Sequence, residues 1–130
     1  ATVADTFPAS CVSPSWTCVG AGGGTCTASG SGNINDSVNL PVGGSVTYTA
    51  VCPISAAATG TLSNTATIAV PVGINDPAPA NTSATDSNIL TPRANLGITK
   101  TNGVSSVVAG ASTTYTIVAS NAGPSNAPSA

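Results

Sequence analysis

The sequence predicts an all-β protein, and composition and pattern both support this class. Gly (14) and Pro (10) are frequent among the 130 residues, whereas charged residues make up 5% and aromatic residues 3%. Strong helix formers such as Glu, Lys, Gln and Met are scarce. Several short segments alternate apolar and polar residues with period two, and turn residues separate them. Short strands at this spacing are typical of an immunoglobulin-like (Ig-like) antiparallel β-sandwich.

The predicted strands follow one another along most of the chain. The Trp at position 16, the only one, is expected to anchor the core. A Gly/Ser-rich connection is expected between residues 20 and 32, and a Pro-rich loop between residues 71 and 79. The segments with strand patterns are residues 1–7, 15–19, 34–40, 45–52, 61–70, 84–90, 94–101 and 113–120.

Three polar residues occupy positions of strands that should face the core. Asn64 falls in register with Leu62, Ala66, Ile68 and Val70. Lys100, the only lysine, falls in register with Leu96 and Ile98, and Asp5 falls in register with Val3 and Phe7. Burying an unpaired carboxamide costs roughly 2–7 kcal/mol. The Asn64 carboxamide must therefore be hydrogen-bonded or used chemically, and Lys100 and Asp5 occupy core-facing positions of the same kind.

Charge and composition exclude several functions. The net charge of −2 leaves no basic surface for nucleic acid, and no apolar run is long enough for membrane insertion. The chain has no His, so a Ser/His/Asp or Cys/His catalytic set is impossible. No cofactor is expected. Asp76 and Asp86 are weak calcium candidates, since carboxylates are few and their spacing differs from an EF-hand. Solvated turn residues are the alternative reading for both.

Four cysteines suggest an oxidising, extracellular location. Cys18 and Cys26 flank a Gly-rich segment, as in a loop closed by a disulfide. Cys11 and Cys52 would then pair by elimination, although two other connectivities are possible.

Several motifs closely resemble the bacterial and archaeal surface repeat domain called DUF11. They are Ala94–Thr101, Tyr115–Val118, Asn121–Ser125, Val3–Pro8, Ser63–Thr67 and Asp76–Asn81. The resemblance covers nearly the whole chain, and it implies an Ig-like module in tandem arrays on secreted or cell-surface proteins.

The order of these motifs is rotated relative to that family. A family repeat opens with the segment found here at residues 94–130 and continues with the segment found at residues 1–90. Ala130 joined to Ala1 would read straight through a normal repeat. Residues 91–93 would then link the main body of one sandwich to the first strands of the next. Leu90 to Asn95 spans at most about 17 Å, which is no more than the length of one sandwich strand. Folding residues 94–130 back onto their own body is therefore strained.

The family also resembles the isopeptide-forming domains of Gram-positive pilins, which use a Lys, an Asn and an acid. Lys100, Asn64 and Asp5 match those positions. An apolar site disfavours the charged forms of Lys100 and Asp5. The neutral amine could then attack the Asn64 side-chain carbonyl while protonated Asp5 polarises that carbonyl and shuttles protons, and ammonia would leave. The alternative is a buried Lys100–Asp5 ion pair, with Asn64 hydrogen-bonded to the backbone.

We therefore expect a structural repeat of an extracellular filament or surface fibre, whose partners are identical copies joined head to tail by strand complementation. It is not expected to be an enzyme, beyond a single autocatalytic isopeptide step between copies. The copies could be separate chains or segments of one long protein. An adhesive or carbohydrate-binding module on a surface stalk is the alternative.

Overall fold

Residues 1–129 are described by a computed structural model, in which nine strands form three antiparallel sheets. Within these residues there is one 3-10 turn, at Pro79–Asn81, and no α-helix. No helix in the described part of the chain could cross a bilayer. The expected Ala130–Ala1 junction lies outside the described residues. The strands are β1 (Thr2–Asp5), β2 (Ser15–Ala21), β3 (Ser29–Ser31), β4 (Ile34–Ser37), β5 (Ser45–Val51), β6 (Gly60–Ala69), β7 (Ser83–Leu90), β8 (Leu96–Thr101) and β9 (Thr116–Asn121).

The first seven strands form two sheets. One has four strands in the order β4-β1-β6-β7, and the other has three in the order β3-β2-β5. In β5 and β6 apolar and hydroxyl residues alternate, which suits a strand with one face inward. A turn leads into β5, where Gly43 has a φ of 79° and Gly44 N–H donates to the Pro41 carbonyl. Glycine adopts that left-handed conformation without steric cost.

The buried core lies between β2, the central strand of the three-stranded sheet, and strands β4 and β1 of the other sheet. Trp16 and Cys18 from β2 pack with Ile34 from β4. The Trp16 ring meets the Tyr48 ring edge-on, with centroids 5.6 Å apart. Around this cluster lie the partly buried side chains of Val3, Phe7, Cys26, Val46 and Tyr48. Trp16 therefore anchors the core, as the sequence predicts.

Two disulfides stabilise the body, by which we mean strands β1 to β7 and their connections. Cys18 bonds to Cys26 and Cys11 bonds to Cys52, so no cysteine in the chain is free. This is the connectivity that the spacing favoured among the three possible ones. Two disulfides indicate that the protein folds in an oxidising environment.

The other end of the body is open. β6 turns Leu62, Asn64, Ala66 and Ile68 inward, but all four remain partly exposed. Every residue of β7 is exposed except Leu90, which is partly buried. The three-stranded sheet has one strand fewer than the four-stranded sheet that it faces. The inward sides of β6 and β7 are therefore not fully covered.

β8 and β9 form a hairpin of their own. They pair with each other from Leu96–Asn121 to Thr101–Thr116, and neither pairs with another strand of the described chain. Every residue of both strands is exposed. After the hairpin, Asn126 N–H donates to the Ala56 carbonyl at 2.8 Å, which ties the tail to the body.

One strand was missed by the sequence prediction. β3 has the sequence Ser-Gly-Ser and lies in the segment expected to be an irregular connection. It carries no apolar alternation because Gly30 lies under the indole ring of Trp16. A Cβ at Gly30 would be 2.3 Å from that ring. The absence of a side chain, which reads as a turn signal, is here a packing requirement.

Candidate functional site

Asp5 and Asn64 form a polar pair on the inward face of the four-stranded sheet. Asp5 ends β1 opposite Ala66 of β6, so Asn64 is its diagonal neighbour. Asn64 Nδ2 donates to Asp5 Oδ2 at 2.9 Å. We call these two residues the acceptor pair, because each has an oxygen that accepts no hydrogen bond.

Both oxygens are buried and unpartnered among the described residues. They are Asp5 Oδ1 and Asn64 Oδ1. The Asp5 residue is only 9% exposed. A buried acceptor without a donor costs about 1–3 kcal/mol, and more when the group is charged. The acceptor pair therefore lacks a donor that could satisfy two oxygens together.

A cavity of about 250 Å³ opens onto the acceptor pair. Ala50 and the Cys11–Cys52 disulfide line one side, and Leu62 lines the side of β6. Phe7 and Pro8, which follow β1, complete the lining. The walls are mostly apolar, so an incoming cation would be drawn to the carboxylate and carboxamide alone.

A second carboxylate lies on the same sheet face. Asp86 of β7 is directly opposite Asn64 in the ladder, and opposite residues of a ladder share a face. Asp86 Oδ2 accepts a bond of 2.6 Å from Asn88 Nδ2. Asn64 therefore has Asp5 on one neighbouring strand and Asp86 on the other. The sequence pattern presented Asp86 only as a calcium candidate.

Lys100 lies elsewhere in this chain. It is on the hairpin, where its Nζ is 4.2 Å from the centroid of the Tyr115 ring. It makes no hydrogen bond or ion pair within residues 1–129. Lys100 was expected at a core-facing position, but it is exposed here because its face of the hairpin has no partner in the same chain.

The apolar residues of the hairpin share the face of Lys100. Leu96, Ile98 and Lys100 of β8 lie opposite Asn121, Ala119 and Ile117 of β9. Leu96 is 69% exposed, Ile98 74% and Ile117 59%. The other face carries Thr99 and Thr101 with their partners Val118 and Thr116. The hairpin thus has one mainly apolar face with a single cation on it.

A third acidic residue, Asp36, serves the body rather than the open face. Asp36 is 6% exposed, and it accepts bonds from Thr27 N–H at 2.9 Å, Thr27 Oγ1 at 2.7 Å and the Tyr48 hydroxyl at 2.5 Å. The bond from Tyr48 is the main cause that lowers the pKa of Asp36, against the effect of burial. Burial, followed by the bond to Asp36, raises the pKa of Tyr48. The sequence offered only one signal for this role, the alternation of Asp36 with Ile34 and Val38.

The structure places the calcium candidates apart. Asp76 Oδ1 accepts the Ala78 N–H in a local turn, whereas Asp86 is on β7. Within residues 1–129 no three Cys, Asp or Glu side chains gather as a metal site would require.

Comparisons with protein-family models, with curated proteins and with solved structures found no match.

Proposed function

We propose that the chain is a structural repeat of a secreted filament or cell-surface fibre. In this fibre the hairpin of one copy completes the Ig-like sandwich of the next. One observation carries the proposal: a single chain holds both an uncovered hairpin and an uncovered sheet face. The resemblance to surface repeat domains supports the same reading.

Burial of apolar surface would drive the docking. A lone two-stranded hairpin is marginally stable in water, and this one exposes Leu96, Ile98 and Ile117. Covering apolar area stabilises by about 25 cal/mol per Å², so several such side chains supply a substantial driving force. The partly exposed inner residues of β6, Leu62, Ala66 and Ile68, offer a surface of matching character.

Charge and hydrogen bonding also match. The acceptor pair has two buried oxygens without donors, and the hairpin face carries one ammonium group with three N–H donors. Lys100 of an incoming hairpin would supply both bonds. An identical copy is therefore a suitable partner, because it brings apolar residues and a cation on one face.

The same contact permits an isopeptide bond. In the docked contact the Lys100 ammonium first gives one proton to the Asp5 carboxylate. The neutral amine then attacks Asn64 Cγ, a C–N bond forms, and the Cγ–Nδ2 bond breaks. Asp5 Oδ2 is 2.9 Å from Nδ2, so the carboxyl group can deliver a proton to the leaving nitrogen and receive one from the attacking amine. Ammonia leaves, and no external reactant is needed. Asp5 thus hydrogen-bonds to the leaving nitrogen, where a proton shuttle is needed, and not to the carbonyl oxygen that it was also expected to polarise.

The test is assembly at rising concentration, followed by boiling in denaturant and intact-mass measurement. We expect head-to-tail oligomers, and a loss of about 17 Da for each amide bond formed, since one ammonia leaves per bond. Lys100→Arg is the matched control: it keeps the charge, but guanidinium is always protonated and cannot attack. A protein that stays monomeric at all concentrations would refute the fibre. Oligomers of unchanged mass would refute the covalent step alone.

A further inference from the structure

We infer that β5 is the edge that receives the neighbour, and that β9 of the next copy pairs with it in the antiparallel direction. The three-stranded sheet then becomes a five-stranded one, in the order β3-β2-β5-β9-β8. This inference rests on the proposed function and adds to it the strand, the direction and the hydrogen-bonding groups of the contact.

The two body sheets offer four outer strands, and only two of these adjoin the open face. β3 and β4 lie at the end where Trp16, Cys18 and Ile34 already close the core. β5 and β7 lie at the open end. The acceptor edge is therefore one of these two.

Coverage of the open face distinguishes β5 from β7. The cavity at the acceptor pair lies between Ala50 of β5 and Leu62 of β6, so a strand added beside β5 would extend over it. A strand added beside β7 would only widen the four-stranded sheet. It would leave the inner face of β6 uncovered and the two buried oxygens without donors.

The unused backbone groups of β5 belong to its inward-facing residues. Cys18 N–H donates to the Ala28 carbonyl on the β3 side, so its ladder partner Tyr48 directs N–H and C=O away from β2. By alternation, the same holds for Val46 and Ala50. In the described chain β5 pairs with β2 alone, which leaves these groups free to bond another strand.

In β9, too, the backbone groups that do not bond to the neighbouring strand belong to residues on the apolar face. Ala122 N–H donates to the Asn95 carbonyl, so Ala122 and every second residue before it direct their backbone N–H and C=O groups toward β8. The intervening residues, Ile117, Ala119 and Asn121, direct their backbone groups outward. These residues share the face of Lys100. Pairing the free edge of β9 with the free edge of β5 therefore points both inward faces toward the same core.

The direction of β9 relative to β5 determines where Lys100 lies in the neighbouring copy. In the antiparallel arrangement the first residues of β9 lie beside the last residues of β5, so Ile117 comes close to Ala50. Lys100 is the ladder partner of Ile117, and Ala50 lines the cavity of the acceptor pair. A parallel arrangement would carry Lys100 to the Ser45 end of β5, away from Asp5 and Asn64. Only the antiparallel one brings the cation to the two unpaired oxygens.

Hydrogen–deuterium exchange of assembled against dilute protein tests this without any substitution. We expect the amides of Val46, Tyr48 and Ala50 to gain protection on assembly. The outward amides of β7, such as that of Ile89, should exchange as before. Protection on β7 with none on β5 would overturn the inference while leaving the fibre intact. No assembly at all would overturn both.

Proline substitution gives a second test with a matched control. Ala50→Pro removes a free-edge N–H from β5 and leaves the bonds to β2 in place, so assembly should weaken by about tenfold or more. Ile89→Pro does the same to the free edge of β7 and should leave assembly unchanged. Trp16 fluorescence and two intact disulfides report that each variant is folded. Normal assembly of a folded Ala50→Pro variant, or its loss in Ile89→Pro, would contradict the assignment of β5.

Discussion

The buried carboxylate of Asp36 provides the sharpest test of the body itself. Asp36→Asn keeps the shape of the side chain and can keep all three hydrogen bonds, because Nδ2 can donate to Thr27 Oγ1 while Oδ1 accepts from Thr27 N–H and the Tyr48 hydroxyl. The negative charge is lost. Bonds to a charged group contribute about 1.5–3 kcal/mol against about 0.5–1.5 kcal/mol for neutral ones. Three such differences, less the desolvation that a neutral amide avoids, give a destabilisation of about 2 kcal/mol at neutral pH.

The pH dependence of this difference follows from the sign of the shift. The pKa of Asp36 in the folded protein is lowered from its ordinary value of 3.8. The stabilisation is therefore fully present above the pKa of the unfolded chain and is lost as pH falls through the folded pKa. We expect the gap between wild type and Asp36→Asn to be constant above about pH 5 and to shrink below about pH 4.

Urea unfolding followed by the fluorescence of Trp16 is the assay, because Trp16 contacts Tyr48 and so reports on the same region. Asp76→Asn is the control, since Asp76 accepts a single backbone bond that an amide oxygen can also accept. A gap that persists unchanged to pH 3, or an equal pH dependence in the control, would refute the role given to the Asp36 charge.

Three further predictions concern packing, cross-linking and assembly. Gly30→Ala forces a methyl group against the Trp16 ring and should destabilise by about 1–3 kcal/mol in urea unfolding, because overpacked cores shift or strain; an unchanged midpoint would contradict it. Replacing both Cys11 and Cys52 by Ser should cost about 4 kcal/mol, given a sequence separation of 41 residues, and should loosen the cavity wall. Asp86→Asn should slow assembly at low salt but not at high salt in light scattering, because it removes a carboxylate beside the acceptor pair.

The sequence predicted most of the body because its strands alternate strongly. β5 and β6 were found within one or two residues of their ends, and turn residues separate them. β3 could not be predicted, since its Ser-Gly-Ser sequence makes sense only once the Trp16 ring is placed above it. Local pattern reports what a residue prefers, whereas this strand depends on a contact with a residue 14 positions earlier in the chain.

The sequence also predicted only part of the candidate site. Period two placed Asp5 and Asn64 on inward faces, and the structure brings them into hydrogen-bonding contact. Ladder register added Asp86, which no single-strand pattern could relate to Asn64. Asp36 alternates with Ile34 and Val38, but the sequence did not show which groups would bond to it. Its role depends on Thr27 and Tyr48, which approach from other parts of the chain.

The separation of Lys100 from the acceptor pair has a consequence for the proposed fibre. Within one copy the amine lies against Tyr115 on an exposed strand, away from the Asn64 carbonyl that it would have to attack. Only docking into a neighbour would remove it from water and bring it to Asn64. The covalent step would therefore follow assembly and could not block it by reacting early within one chain. Correct docking would be locked, and copies joined in the wrong register could still dissociate.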